Sequence, residues 1–256
     1  MLKGVDLSTF NRNVDYTELK RSGIDFAIIR CGYGKDAGQK DEMFEEHYQG
    51  CKEAGIKVGA YHYSYCTSVE NAKFEAQNCL SYIEGKEFDL PVYYDLEEQR
   101  IANLGIDTVT QIALIFCRNL ESEGYRAGVY ANLNWFRNYI RPQALELEDY
   151  SIWLAQWNDE PTADFDVDIW QYTNHNEYGM DGDYLVNENL LDNTPEPEPE
   201  FEVDICKSLA VDVIFGKYGN GEERKEALGD YYNEVQDIVN EIYKTICGKL
   251  CGKLGG

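Results

Sequence analysis

Short apolar runs alternating with stretches of helical period set the rhythm of the first three quarters of the chain. The runs fall at 4–8, 26–30, 58–63, 90–95, 127–130, 151–155 and 168–172, and they are rich in valine, isoleucine and aromatic residues, the composition of buried strands. Between two of them, Asp107 reads as the cap of a helix that carries Val109, Ile112, Ala113, Phe116 and Leu120 on one face and stops at Gly124. Similar helical segments occupy 15–23, 41–55 and 68–85, each closing near a glycine before the next strand. This alternation predicts an α/β fold with a parallel sheet and crossover helices, and seven or eight strands predict a closed barrel. Beyond Asp149 the connections are too short for long helices. The barrel is therefore expected to be irregular in its last third.

The pattern breaks at 193–203, where three Pro-Glu pairs forbid helix and sheet ladders and favour an extended, self-repelling spacer. The barrel is thus assigned to 1–192. From Asp204 the period is helical again. Ile205, Leu209 and Val213 form one stripe, 222–228 is a short helix, and Val235, Ile238, Val239 and Ile242 mark a third. A three-helix all-α module is expected over 204–246, with a tail of no assigned role over 247–256.

Composition narrows the possible chemistry. Lys and Arg number 23 against 47 Asp and Glu, a net charge of −24, so the chain lacks the basic footprint of a nucleic-acid binder. No apolar run has the length of a membrane span, and the amino terminus enters a strand with no signal-peptide pattern. The eight cysteines lack Cys-x-x-Cys spacing, and several lie in apolar segments. They read as reduced, structural thiols. The three histidines have no ligand spacing to one another or to the cysteines, so no metal and no cofactor is expected.

Acidic residues at predicted strand ends carry the functional reading. Asp6 ends the first strand, Asp95 and Glu97 end the fourth, and Asp181 or Asp183 lies near the last. Asp95 and Glu97, two positions apart, share a strand face, with Cβ atoms about 7 Å apart. At that spacing one carboxyl is expected to rise in pKa as a general acid while the other stays ionised, the division that glycoside hydrolysis requires. Tyr33, Tyr61, Tyr63, Tyr130, Trp153, Trp157 and Trp170 offer faces for sugar rings. The alternative for each aromatic is a place in the core.

Taken together, Gly4-Val-Asp-Leu-Ser8, Arg30-Cys-Gly-Tyr-Gly34, Gly59-Ala-Tyr-His-Tyr-Ser64, Asp95-Leu-Glu97, Gly128-Val-Tyr130, Trp153-Leu-Ala-Gln-Trp157 and Trp170-Gln-Tyr172 resemble a glycoside hydrolase family 25 lysozyme, in order over 1–192. The resemblance implies an irregular TIM-like (β/α)5β3 barrel that cleaves the β-1,4 bond from N-acetylmuramic acid to N-acetylglucosamine in bacterial peptidoglycan. It makes Glu97 the proton donor, Asp95 its partner and Asp6 the first-strand aspartate, and it adds Gln156 and Gln171 of the quoted motifs to the substrate contacts. Of the two late aspartates Asp183 is favoured, because it directly precedes Tyr184-Leu-Val186. For the family a substrate-assisted route is implied, in which the sugar's own acetamide attacks C1. A two-carboxylate inverting route is the rival.

The string Leu209-Ala-Val-Asp-Val-Ile-Phe-Gly-Lys-Tyr-Gly-Asn-Gly-Glu-Glu-Arg-Lys-Glu-Ala-Leu228 is similar to the cell-wall-binding repeat of pneumococcal phage lysozymes. It implies recognition of a muropeptide, with Asp212, Tyr218 and Arg224 either touching it or holding the tight turn. Arg224 is expected to fork onto a peptide carboxylate. The bacterial wall is thus the expected partner, reached as a phage endolysin or as a secreted enzyme without its leader. A non-catalytic wall-binding protein and a chitin-cleaving hydrolase are the competing readings.

Overall fold

A computed structural model describes residues 1–191 and 205–251, the side chains of the second segment over 206–244. The chain divides into two compact units, Met1–Asn193 and Thr194–Gly256.

In the first unit eight strands close a barrel in sequence order. They are β1 Leu2–Leu7, β2 Ile24–Tyr33, β3 Lys57–Tyr63, β4 Val92–Asp95, β5 Ala127–Asn132, β6 Ser151–Ala155, β7 Ile169–Thr173 and β8 Asp181–Leu185. Strands β1 to β7 pair in parallel, whereas β8 runs antiparallel to both β7 and β1. Phe26, Ile28, Tyr61, Leu90, Tyr93, Trp153, Ile169 and Leu185 fill one buried cluster, so the barrel is packed rather than hollow. Gly4 makes that packing possible, since a Cβ there would stand 2.3 Å from the Phe26 ring.

Helices α1 Tyr16–Arg21, α2 Phe44–Ala54, α3 Val69–Ile83, α4 Gln99–Ala102, α5 Ile106–Glu121, α6 Leu133–Asn138 and α7 Pro142–Glu146 cover the first five crossovers. Asp15 and Ser68 cap α1 and α3 by accepting from the backbone N–H groups of Glu18 and Asn71. Asp107 is not the cap of α5. Gly105 stands there, and Asp107 lies in the first turn, bound to the Arg141 guanidinium at 2.6 Å. Residues 156–168, between β6 and β7, form no helix, which is the irregular last third expected from the short connections.

In the second unit α8 Ile205–Ile214, α9 Glu222–Leu228 and α10 Tyr232–Cys251 pack around Cys206, Ala210, Val213, Leu228, Val235 and Val239. Helix α10 continues through 247–251, part of the segment expected to be a tail. The Pro-Glu spacer at 193–203 and the residues beyond Cys251 lie outside the described residues.

Cys31, Cys51, Cys66, Cys79 and Cys117 are free and buried, and Cys206 is buried as well. The histidines have no ligand spacing to the cysteines along the chain, yet one of them meets two cysteines in three dimensions. The ligand atoms of Cys31, His62 and Cys79 lie within 4.8 Å of one another, because strand pairing and helix packing join positions that sequence spacing keeps apart.

Candidate active site

The parallel strands end around a cleft of about 450 Å³ lined by Asp6, Arg30, Tyr61, Tyr63, Asp95, Glu97, Tyr130, Trp153, Trp157, Gln171 and Asp181, with Phe10 and Met180 at its edges. Strand β4 stops at Asp95, yet the alternation persists one step further. Leu96 is buried, and Glu97 lines the cleft beside Asp95.

The carboxyls differ in depth. Burial pushes Asp95 well above the usual carboxylate range, with Glu97 adding to the rise and the Arg30 guanidinium opposing it. Glu97 is also raised, first by burial and then by Glu98 and Asp181, while the nearby Tyr63 hydroxyl, which donates to Glu98 Oε1 at 3.0 Å, opposes the rise. The expected split into one raised and one ordinary carboxyl is therefore replaced by two raised ones, the deeper Asp95 being more strongly perturbed. Its Oδ1 is buried without a hydrogen-bond partner among the described residues.

Asp6 lies opposite Asp181 across the β1–β8 ladder. Burial raises its pKa, reinforced by Asp183 and Asp181, while a hydrogen bond from Gln171 opposes the rise. That bond is 2.9 Å from Gln171 Nε2 to Asp6 Oδ2, and the amide oxygen of Gln171 accepts from the Tyr130 hydroxyl at 3.1 Å and from Trp157 Nε1 at 3.3 Å. A single neutral side chain thus joins one carboxyl to two aromatic groups of the wall.

Asp181, not Asp183, faces the cleft, which reverses the preference drawn from sequence. Because β8 is antiparallel, its first residue lies with the C-terminal ends of the parallel strands, and Asp183 sits one layer deeper on the same interior face. There Asp183 is fully buried and accepts from Trp153 Nε1 at 2.8 Å.

Three of the expected sugar contacts stand outside the cleft lining. Trp170 points away from the barrel interior, opposite to Gln171, packs on Tyr172 and Tyr184, and donates to the Gln156 carbonyl at 2.7 Å. The side-chain amide of Gln156 is spent on Thr162, to which it donates at 2.7 Å and from whose N–H it accepts at 2.8 Å. Tyr33 leans edge-on against Tyr65 and lies 5.9 Å from the Arg30 guanidinium carbon. Trp157, by contrast, is 59% exposed at the cleft edge, as a ring-stacking residue must be.

Arg30 escaped the sequence reading of the site. Its Nε donates to Asp41 Oδ2 at 2.7 Å, and Asp41 also accepts from the backbone N–H groups of Thr9 and Met43. A fixed cation consequently faces Asp95. The available signal was a charged residue at an inward position of an otherwise apolar strand, two after Ile28.

In the second unit Arg224 donates through Nε and Nη2 to the Gly219 carbonyl and through Nη1 to Gln236. The fork expected to hold a carboxylate closes a turn instead. Asp212 accepts from Lys217 Nζ at 2.6 Å, and Tyr218 packs against the module core.

Comparison with known proteins agrees with this geometry. The chain is 26% identical over 175 residues to the autolytic lysozyme of Clostridium acetobutylicum, covering 67% of this chain and 50% of that protein. It is 24% identical over 185 residues to the probable GH family 25 lysozyme 2 of Dictyostelium discoideum, covering 71% of this chain and 85% of that one. Among solved structures, the CTP1L endolysin superposes with a TM-score of 0.64 at 25% identity, over 73% of this chain and 67% of that one. A family 25 glycosyl hydrolase from Bacillus anthracis superposes with a TM-score of 0.62 at 22% identity, over 73% and 89% of the two chains. The CW_7 repeat profile matches residues 207–243. The profile of the glycosyl hydrolases family 25 matches residues 5–180, and the chain belongs to that family.

Proposed function

We propose that this chain is a peptidoglycan hydrolase, an N-acetylmuramidase that cleaves the β-1,4 bond from N-acetylmuramic acid to N-acetylglucosamine. The observation that carries the reading is the convergence of Asp6, Asp95, Glu97 and Asp181 on one cleft edged by Trp157, Tyr63 and Tyr130, within a family 25 barrel.

Glu97, less buried than Asp95 and raised in pKa, is suited to hold a proton until it passes to the leaving glycosidic oxygen. Asp95, which lines the cleft, would accept a hydrogen bond from the acetamido N–H of the sugar. That contact would aim the acetamide oxygen at C1 and steady the oxazolinium-like species. Once the leaving group departs, Glu97 as a carboxylate takes a proton from the incoming water. Asp6, joined through Gln171 to the aromatic wall, and Asp181, opposite it in the β1–β8 ladder, would orient the ring. The second unit, matched by the CW_7 repeat, would hold the enzyme on the wall by recognising a muropeptide, with Asp212 and Tyr218 as contacts and Arg224 supporting the turn that presents them.

Digestion of purified peptidoglycan by wild type and by Glu97→Gln, followed by borohydride reduction and mass spectrometry, tests the proposal. New reducing ends on muramic acid, lost by roughly a thousandfold or more in the variant, are expected. Glucosamine ends would make the enzyme a glucosaminidase, and binding without new ends would make the protein a non-catalytic wall binder.

A further inference from the structure

On the opposite face of β2 and β3 from the cleft, beneath α3, three ligand-type side chains meet in full burial. They are Cys31 of β2, His62 of β3 and Cys79 of α3, each with no exposed surface. The two sulfurs are 3.6 Å apart, and all three ligand atoms lie within 4.8 Å of one another.

The protonation of His62 follows from its surroundings. Nε2 lies 3.0 Å from the Gly34 carbonyl oxygen, which can only accept, so Nε2 carries the hydrogen and a neutral ring presents a bare lone pair at Nδ1. That Nδ1 is buried and has no hydrogen-bond partner among the described residues. The Tyr82 ring stacks on the imidazole with centroids 6.4 Å apart and planes 17° from parallel, fixing its plane. A histidine that binds a metal through one ring nitrogen characteristically donates from the other to a carbonyl in this way.

We propose that Cys31, His62 and Cys79 supply three ligands of a zinc(II) site, with a neutral water in the fourth tetrahedral position, separate from the glycan cleft. Two thiolates bound tetrahedrally to one zinc ion at about 2.3 Å stand about 3.8 Å apart, close to the separation that the two sulfurs already have. Binding would release both thiol protons to solvent. Two thiolates, one neutral imidazole and a divalent cation sum to zero charge, the condition under which such a cluster tolerates burial. The ion would fasten α3 to β2 and β3 directly behind Arg30, Tyr61 and Tyr63. Through Gly34, it would also steady the turn that follows β2.

The test uses the full chain, reduced with a phosphine and stripped by a chelator. Cobalt(II) is titrated as an optical probe and then displaced by zinc(II). One equivalent per chain is expected, with a thiolate-to-cobalt charge-transfer band and the intense visible bands of a tetrahedral ion. A Cys247→Ser/Cys251→Ser double variant should keep that signal, and Cys79→Ser and His62→Gln should bind at least roughly 100-fold more weakly. In case the buried variants fail to fold, X-ray absorption of the zinc-loaded double variant reads the ligands directly. Two sulfurs at about 2.3 Å and a nitrogen at about 2.0 Å are expected. Three results would each overturn the proposal: no stoichiometric uptake by the folded chain, a shell without sulfur, or loss of the signal in the double variant. Formation of a Cys31–Cys79 disulfide under mild oxidation with no metal uptake would also overturn it, and would make the pair a redox couple.

Discussion

At the scale of single residues, the chemistry of the cleft depends on neutral and cationic groups as much as on its acids. Gln171 is the clearest case. Its amide donates to Asp6 and accepts from Tyr130 and Trp157, so Gln171→Leu would strip three groups of a partner at once. The expected outcome is a fall in kcat of roughly tenfold to a hundredfold from misplacement of the cleft wall. A loss of about 1–3 kcal/mol in stability should accompany it from the polar groups left unpaired. Steady-state kinetics and urea unfolding of the same variant read the two effects, and an unchanged kcat would remove Gln171 from the positioning role. Sequence offered this residue as a substrate contact from its place in Trp170-Gln-Tyr172, with no sign of its bonds to Asp6, Tyr130 and Trp157. Which of those three faces inward depends on register, and register is a property of the closed sheet.

At the scale of elements, glycine and strand direction determine what each strand can present. A Cβ at Gly4 would meet the Phe26 ring, so Gly4→Ala should destabilise the barrel by about 1–3 kcal/mol through overpacking. Thermal or denaturant unfolding checks this, and a neutral substitution would mean that β1 and Phe26 can slide apart at little cost. The strands around Asp6, Asp95 and Tyr130 were legible because an apolar run that ends in a carboxylate or a tyrosine is a local signal. The order of the helices was legible for the same reason, since caps and closing glycines lie next to what they terminate. The direction of β8 was not legible. Nothing in Asp181-Gly-Asp-Tyr-Leu185 tells whether the strand ascends or descends, and the choice between Asp181 and Asp183 depended entirely on it. Arg30 and the Cys31–His62–Cys79 group were hidden for a related reason. Their partners come from different strands and helices, and no spacing along the chain encodes such a meeting.

For the molecule as a whole, the sign of buried charge sets a pH dependence. Asp6, Asp95 and Asp183 are each held above the carboxylate range, burial being the largest cause. In the unfolded chain they titrate near about 3.9. The folded state therefore keeps protons that the unfolded state has lost. Their stabilising contribution is complete below the unfolded value and disappears as pH rises through the folded ones. The melting temperature should accordingly be higher at about pH 5.5 than at about pH 8. Asp183→Asn, which can still accept from Trp153, should flatten the difference, and a melting temperature that climbs with pH would contradict the argument. The net charge of −24 adds a second dependence. Repulsion from an anionic wall is screened by salt, so lysis should increase as ionic strength is raised from very low values, and a monotonic decrease would count against it. Closure of the ring by β8 has a further consequence, for the order of events during synthesis. Asp6 receives its hydrogen bond from a residue 165 positions later, and its strand gains its second neighbour only when 181–185 have emerged. A nascent or prematurely terminated chain that ends before β8 lacks Asp181 and leaves the cleft open on one side. The cleft is completed by the last strand of the barrel to be made, and translation has to run past that strand before its four carboxyls can meet.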